Sequence, residues 1–262
     1  MDRDRGLELN LLGMRDAFRS FGQASGAQTI EFEGGIAVVN EAVRERSVFN
    51  SAVYLDRAAF AREYERIAAA YVAAGCAWTV WVPEDDDETA ALLEAAGHVR
   101  DALPRAMGIE LAGAQEPDLS GLDWTPDGDV EEMAALNDAA YGYAPGTWIK
   151  GMGRDPAGQR TYLARVDGEP AATVSGRDRD GDCAIWHVAT AEAARGRGLA
   201  TTLMRKALFD AAQRGCATST LQATKLGAPV YRRCGYEDFG ALGMWERRPS
   251  ELAGEADPKP PA

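Results

Sequence analysis

The sequence predicts an α/β protein with a mixed sheet, built as two related halves. Apolar strand patterns alternate with helical patterns along the chain, and such alternation favours the α/β class. A Gly-Cys-Ala triplet occurs at residues 75–77 and again at 215–217, each time at the end of a helical pattern and directly before a strand pattern. The same triplet in the same order of elements indicates an internal repeat.

The elements that follow the triplet repeat as well. A strand is predicted at 78–82 in the first half and at 219–223 in the second. In each half a short helical segment comes next and closes on a glycine beside an aromatic ring, Gly97-His98 and Gly235-Tyr236, before another strand. The two halves therefore share one plan of helix, strand, helix, glycine and strand.

The segment between the halves predicts a domain boundary. Residues 112–120 are rich in Ala, Gly, Pro and acidic residues and have no apolar periodicity, which is typical of a linker. We predict a first domain over 1–113, a linker over 114–121 and a second domain over 122–247. Residues 248–262 contain four prolines and little to bury, so a disordered tail is predicted there.

The second half carries the stronger periodic signals. Apolar residues at helical spacing predict helices, and the Asp-Gly turn at 167–168 separates two predicted strands. The predicted order is strand 122–126, helix 129–141, loop 142–151, strands 161–166, 171–177 and 183–190, helix 197–214, strand 218–223, helix 226–233 and two final strands.

Composition narrows the classes of function. The 262-residue chain has a formal net charge of −13, which argues against nucleic-acid binding because that binding depends on Lys and Arg displacing counterions. The acidic surface either attracts cationic small molecules or only keeps the protein soluble. No apolar run approaches the roughly 18 residues of a membrane span, and no secretory signal pattern opens the chain. We expect a cytoplasmic protein without a membrane anchor.

Metal and disulfide sites are not predicted. The four cysteines form no CxxC pair and the two histidines lie far apart in sequence, so neither a zinc site nor a disulfide framework is indicated.

The segment 184–200 predicts a binding site for a diphosphate. An apolar strand leads through a short turn into Arg195-Gly196-Arg197-Gly198-Leu199-Ala200, which opens a helix. A helix start offers unpaired backbone N–H groups and the positive end of the helix dipole, and glycines let a phosphate approach the main chain. A structural turn with solvated arginines fits these six residues equally well when they are taken alone.

Two other diphosphate sites fit less well. No Lys-Ser or Lys-Thr follows the glycines, which excludes a nucleotide-triphosphatase loop. Several strand patterns precede the glycines, whereas a dinucleotide-binding loop lies near the start of its fold. Coenzyme A is the diphosphate that fits best.

The wider context resembles the GNAT superfamily of N-acetyltransferases. The pattern R-x-x-G-x-A follows a strand ending at Thr190, then comes the strand 221–223, and then the segment from Tyr231 to Tyr236. The resemblance covers most of residues 123–247 and implies two tandem GNAT-like domains. The first half lacks a Gly-rich loop before its helix, and Asp56 is predicted to cap that helix instead, so the resemblance implies a degenerate first copy.

The resemblance also implies roles for individual residues. Acetyl-CoA would be the co-substrate, and no metal would be involved. The backbone amides of a six-residue loop would hold its pyrophosphate. The loop consists of Arg195, Gly196, Arg197, Gly198, Leu199 and Ala200. Main-chain groups of Val188 and Thr190 would pair with the pantetheine arm. The amide of Val188 would polarise the thioester carbonyl, and Tyr231 would protonate the departing thiolate.

The general base stays open. Strand alternation predicts that His187 faces away from Trp186 and is a packed or surface histidine. A bound water, Asp138 or Glu131 would serve equally well as the general base. The resemblance further implies that the 142–151 segment covers the acceptor substrate. Its aromatic residues are Tyr141, Tyr143 and Trp148. They either line an apolar or cation-binding site or only pack against one another. A further departure from the family is the absence of the Asn that often contacts coenzyme A just after the strand 218–223. Lys225 stands there instead and is a candidate to contact a phosphate.

The sequence therefore predicts an N-acetyltransferase that moves an acetyl group to a primary amine of a small molecule or peptide by direct attack in a ternary complex. A non-catalytic acyl-CoA-binding regulatory protein and a self-associating scaffold are the alternatives. The chain is expected to be a monomer or a homodimer.

Overall fold

The computed structural model describes residues 1–154, 156–252 and 254. Within these residues the chain forms seven α-helices and a mixed sheet of twelve strands, which confirms the predicted fold class. Within the same residues, none of the helices has both the length and the apolar character needed to cross a membrane.

The first half begins with a 23-residue helix and contributes six strands. Its elements are α1 (Arg3–Ser25), β1 (Gln28–Phe32), β2 (Gly35–Val39), β3 (Ser51–Tyr54), α2 (Arg57–Ala74), β4 (Trp78–Pro83), α3 (Asp87–Ala95), β5 (Val99–Ala102) and β6 (Arg105–Glu110). Residues 111–122, all of which the structure describes, then contain neither helix nor strand.

The second half contributes the other six strands. Its elements are β7 (Asp123–Thr125), α4 (Val130–Tyr141), α5 (Thr147–Met152), β8 (Gln159–Val166), β9 (Glu169–Arg179), β10 (Asp182–Thr190), α6 (Leu199–Gln213), β11 (Thr218–Ala223), α7 (Ala228–Arg233) and β12 (Glu237–Arg247).

Two predicted features of the second half are wrong. The segment 142–151 was predicted as a loop, but it contains most of the short helix α5. The carboxylate of Asp138 explains this helix, because it accepts hydrogen bonds from the backbone N–H groups of Gly146 and Trp148 at 2.7 and 2.8 Å. The two final strands predicted in this half form one long strand, β12.

The two halves exchange strands within a single sheet. The strand order is β1-β2-β3-β4-β12-β6-β11-β10-β9-β8-β7, with β5 also paired to β12. Strand β12 of the second half pairs antiparallel with β4 of the first, and β6 of the first half pairs antiparallel with β11 of the second. Each half therefore completes the sheet of the other.

Helix α1 joins the halves on one face of the sheet. Its apolar residues pack against side chains of both halves, including Val38 and Trp81 of the first and Leu242 of the second. A Cβ atom added to Gly13 would lie 3.0 Å from the Cβ of Ala184, so glycine lets the helix approach β10 closely. Helix α1 therefore forms part of the structure around β10, although it belongs to the first half.

Two buried polar side chains reinforce this junction. The amide of Asn10 on α1 donates to the carbonyl of Met107 on β6 at 3.2 Å and accepts from Gln222 on β11 at 2.9 Å. His98 lies between Tyr64 and the carbonyl of Trp245 on β12, with both contacts at 3.1 Å.

The predicted disordered tail begins too early. Arg248 donates to Glu246 and to the carbonyl of Glu45, and Leu252 in a short 3-10 helix is buried. Arg248 and Leu252 are therefore packed, whereas Ser250 and Glu251 between them are exposed. Of the rest of the predicted tail, residues 253 and 255–262 lie outside the described residues.

The exchange of strands predicts that the halves stay together without their covalent link. We insert a protease site between Glu116 and Pro117 and cut it in the folded protein. Because β6 and β12 each lie inside the sheet of the opposite half, size-exclusion chromatography will give one species with the mass of the intact chain, which separates into two fragments only in denaturant. The uncut insertion variant is the control, and two separate native species would contradict the prediction.

Candidate active site

Strands β10 and β11 separate part of the way along their length. They pair in parallel at only three positions, 182–184 with 218–220, while β10 continues to Thr190. Among the strands that the structure describes, β11 offers no register partner to residues 185–190. One edge of β10 therefore borders a cleft in the interior of the sheet.

A β-bulge begins three residues beyond the last residue of β10 that pairs with β11. The pairing of β10 with β9 jumps from Trp186 opposite Ser175 to Ala189 opposite Thr173. His187 has a φ of 52°, a conformation that non-glycine residues adopt rarely. Two residues, His187 and Val188, thus oppose one residue of β9, and a bulge of this kind bends the strand and changes the direction of its side chains and amides.

The loop after β10 leads to a helix start without a side-chain cap. Gly198 is the N-cap of α6, and no side chain among the described residues caps this end. Gly196 and Gly198 both have a φ of 78°, and no described atom lies within 4 Å of a Cβ added to either. Arg195 and Arg197 are exposed beside them. The start of α6 therefore has no side-chain cap and lies beside two exposed arginines, an arrangement that suits an anionic group.

Val188 and Thr190 lie on the part of β10 that borders the cleft. Both residues are partly buried, and the side chain of Val188 packs against the core beneath α6. Their main-chain groups lie beyond the last pair that β10 forms with β11.

Tyr231 lies on α7 after the end of β11. Its side chain is buried, and its ring centroid is 6.0 Å from that of Tyr236. Burial raises the pKa of the Tyr231 phenol, and the nearby Tyr141 hydroxyl adds to this increase. Tyr231 is therefore protonated at neutral pH and has a proton to donate.

The equivalent position in the first half is closed. As predicted, Asp56 is the N-cap of α2, and its carboxylate accepts the N–H of Ala59 at 2.9 Å. Tyr54 at the end of β3 donates to Asp86 at 2.6 Å and stacks on Phe60 with ring centroids 4.7 Å apart. A carboxylate and a packed tyrosine thus occupy the places where the second half has free amides and a cleft.

The predicted orientation of His187 is wrong. Strand alternation placed its ring opposite Trp186, but the bulge interrupts the alternation. Both rings contact Phe21 of α1, with centroid distances of 5.6 Å for Trp186 and 5.4 Å for His187. Burial, together with the charge of Arg177, lowers the pKa of His187 to about 3. The imidazole is therefore neutral at physiological pH and a weak base.

The two acidic candidates for the general base are engaged elsewhere. Both carboxylate oxygens of Asp138 accept backbone N–H groups at the start of α5. Glu131 is exposed and forms an ion pair with Arg154. In the described part of the chain, no group of three or more His, Cys, Asp or Glu side chains is placed to hold a metal ion.

The aromatic residues of the predicted acceptor segment lie together. Ring centroids of Tyr141, Tyr143 and Trp148 are 5.2 to 6.0 Å apart. Phe49 of the first half packs on Trp148 at 5.2 Å. Sequence reasoning missed these contributions of Phe49 and Phe21, because both contacts join residues far apart in the chain and no local pattern identifies the partner.

The fold and the cleft define a class of α/β protein in which two parallel strands part in front of an uncapped helix start. Residues 123–236 match the model of the Acetyltransferase (GNAT) family. Residues 123–236 therefore match a GNAT acetyltransferase domain, and the resemblance noted in the sequence is confirmed over these residues.

Solved structures extend the likeness in fold to both halves. A GCN5-related N-acetyltransferase from Kribbella flavida has a TM-score of 0.63 at 20% identity, with 91% of this chain and 98% of that chain covered. A GCN5-related N-acetyltransferase from Sphaerobacter thermophilus has a TM-score of 0.59 at 19% identity, with 82% and 78% covered.

A tandem GNAT protein from the clavulanic acid biosynthesis pathway, in a structure without AcCoA, has a TM-score of 0.54 at 16% identity, with 81% of this chain and 74% of that chain covered. No curated protein sequence matches the chain. The tandem GNAT fold is thus seen along most of the chain.

The two buried histidines predict a loss of stability in acid. Burial lowers the pKa of His98 to about 4 and that of His187 to about 3, from an ordinary value of 6.5. The unfolded chain therefore binds these protons first as the pH falls below 6.5, and the free energy of unfolding decreases. Between pH 6.5 and 5, each histidine accounts for about 2 kcal/mol.

Urea unfolding at pH 7.5 and 5.0 measures this loss. In His187→Phe, which keeps an aromatic ring without a titrating group, the difference in unfolding free energy between the two pH values shrinks by about 2 kcal/mol. An unchanged difference would show that His187 is not held neutral by the fold.

Proposed function

We propose that this chain is an N-acetyltransferase that moves an acetyl group from acetyl-CoA to a primary amine of a small molecule or peptide by direct attack in a ternary complex. The observation that carries the proposal is the cleft between β10 and β11, which leads to the uncapped start of α6 within the GNAT domain.

The residues at the helix start fit the diphosphate of coenzyme A. Backbone amides from Arg195 to Ala200 would hold the pyrophosphate, with charge supplied by Arg195 and Arg197. The positive φ of Gly196 and Gly198 directs the chain around the position of the anion, and the open space beside both residues leaves room for it. Main-chain groups of Val188 and Thr190 would pair with the pantetheine arm.

Acetyl-CoA supplies the acetyl group as a thioester. The amide of Val188, at the bulge, donates a hydrogen bond toward the carbonyl oxygen and stabilises the negative charge that develops there. Tyr231, whose phenol is protonated at neutral pH, donates a proton to the leaving sulfur.

The attacking amine transfers its proton to a group other than a carboxylate of the strand before the helix start. Asp138 caps α5 with both oxygens, and the low pKa of His187 makes it a poor acceptor for the proton of an ammonium group. We therefore assign this proton to water at the cleft, and activity increases with pH as more of the amine becomes neutral.

Calorimetry of acetyl-CoA binding tests the cofactor site. Gly198→Glu places a negative side chain at the start of α6 and is expected to abolish micromolar binding. Gly215→Glu is the matched control, because Gly215 also has a positive φ, 95°, and open space around it, but it lies after the end of the same helix. This control keeps the wild-type affinity. Equal losses in both variants, or no binding by the wild type, would overturn the proposed site.

Release of free thiol from acetyl-CoA tests the role of Tyr231. Tyr231→Phe removes the proton donor and is expected to lower kcat by roughly 10²-fold or more, with little change in acetyl-CoA affinity. Tyr236→Phe is the control, because its hydroxyl contacts Ser219 at 2.7 Å inside the core and its loss affects stability only. Equal kcat in wild type and Tyr231→Phe would contradict the assignment.

A non-catalytic acyl-CoA-binding protein is the second candidate. It is favoured by one observation, that Asp138 and Glu131 are both engaged in other contacts. Acetyl-CoA binding without thiol release across a panel of amines would identify this alternative.

A further inference from the structure

Three ring nitrogens without hydrogen-bond partners belong to neighbouring rings at the bulge of β10. They are Nε1 of Trp148, Nε1 of Trp186 and Nδ1 of His187, each buried and without a partner among the described residues. The centroid of the His187 ring is 5.7 Å from that of Trp148, edge to face, and 6.3 Å from that of Trp186. We call these three residues the donor cluster.

The surroundings of the donor cluster are aromatic. Phe21 of α1 contacts Trp186 and His187, and the ring of Tyr141 lies 5.2 Å from that of Trp148. Trp148 and His187 are each only 8% exposed. The cluster therefore has apolar walls built from both halves of the chain.

Nearby polar groups do not satisfy these nitrogens. The carboxylate of Asp138 is taken by backbone N–H groups at the start of α5. The guanidinium of Arg177 donates to Ser20 and to the carbonyl of Ala157. A buried polar group without a partner costs about 1 to 3 kcal/mol, so three of them in one place indicate that a ligand or water completes the cluster.

The chemistry of the cluster selects the ligand. An indole N–H is a donor only, so the two tryptophans require acceptor atoms. A polycation fits this position poorly, whereas an oxygen atom on an apolar body fits both the donors and the walls.

The cluster is adjacent to the reacting position of the proposed enzyme. His187 directly precedes Val188, whose amide is assigned to the thioester carbonyl. An oxygen bound by the cluster would therefore belong to the part of the acceptor close to its amine.

We propose that the acceptor is an apolar or aromatic amine with a carbonyl or carboxylate oxygen beside the amino group, and that Trp148 and Trp186 bind this oxygen. This inference rests on the proposed transfer to an amine and defines its substrate class.

A panel of four amines tests the proposal: phenethylamine, L-phenylalaninamide, L-phenylalanine and spermidine. Thiol release gives kcat/KM for each, and calorimetry with the wild-type chain gives binding of each amine. At least one of the two phenylalanine compounds is expected to exceed phenethylamine by tenfold or more in kcat/KM, because a site built around a hydrogen bond rejects the analogue that lacks it. The better of the two distinguishes a carbonyl from a carboxylate. Equal values for phenethylamine, or a preference for spermidine, would overturn the proposal.

Conservative variants test whether the two tryptophans cause the preference for a phenylalanine compound over phenethylamine. Trp148→Phe and Trp186→Phe keep an aromatic ring and remove the N–H group, so the ratio between the preferred phenylalanine compound and phenethylamine falls toward one. Trp245→Phe is the matched control, because Trp245 lies in the first-half core next to Arg100, and there the ratio is unchanged. A ratio that survives both cluster variants would refute the role of the indoles.

The two measurements separate the inference from the proposed function. Binding of a phenylalanine compound in preference to phenethylamine, without thiol release from any amine, would support the donor cluster and overturn the transferase. Thiol release at equal rates from phenethylamine and the phenylalanine compounds would support the transferase and overturn the cluster. Absence of binding and release with every amine would overturn both.

Discussion

The separation of β10 from β11 is the constraint on which the site depends. A parallel pair would normally use the main-chain groups of both strands, but here the pairing stops after Ala184. The bulge at His187 and Val188 bends β10 away from β11. Part of the edge of β10 is therefore unpaired in the interior of the sheet, while the outer edges of the sheet are unchanged. The loop to Gly198 then brings this edge to a helix start, so that strand and helix amides border one cleft.

Comparison of the two halves shows how few residues decide whether such a cleft persists. In both halves a helix connects two parallel strands, α2 between β3 and β4 and α6 between β10 and β11. In the first half, the carboxylate of Asp56 caps α2, and the hydroxyl of Tyr54 donates to Asp86. The start of α2 therefore has a side-chain partner, and the tyrosine side chain occupies the space at the end of β3. In the second half, Gly198 supplies no side chain. The two helix starts therefore differ in whether a side chain caps their backbone N–H groups.

The first half nevertheless contributes to the second. Strand β6 completes the sheet beside β11, and Phe21 and Phe49 contribute to the aromatic region around Trp148 and His187. The first half, whose helix start is capped, thus places aromatic rings beside those of the second half, and the exchange of strands joins both halves in one sheet.

The sequence by itself determined features carried by consecutive residues: most of the order of strands and helices in the second half, the glycine-arginine segment from Arg195 to Ala200, and the cap at Asp56. Only the tertiary structure decided the side to which His187 points, the helix α5 within residues 142–151, the exchange of β6 and β12, and the meeting of Phe21 with Trp186. These features depend on contacts between residues far apart in the chain, or on a bulge set by pairing with a neighbouring strand. Local periodicity records which face of an element is buried, but it does not record the partner against which that face packs.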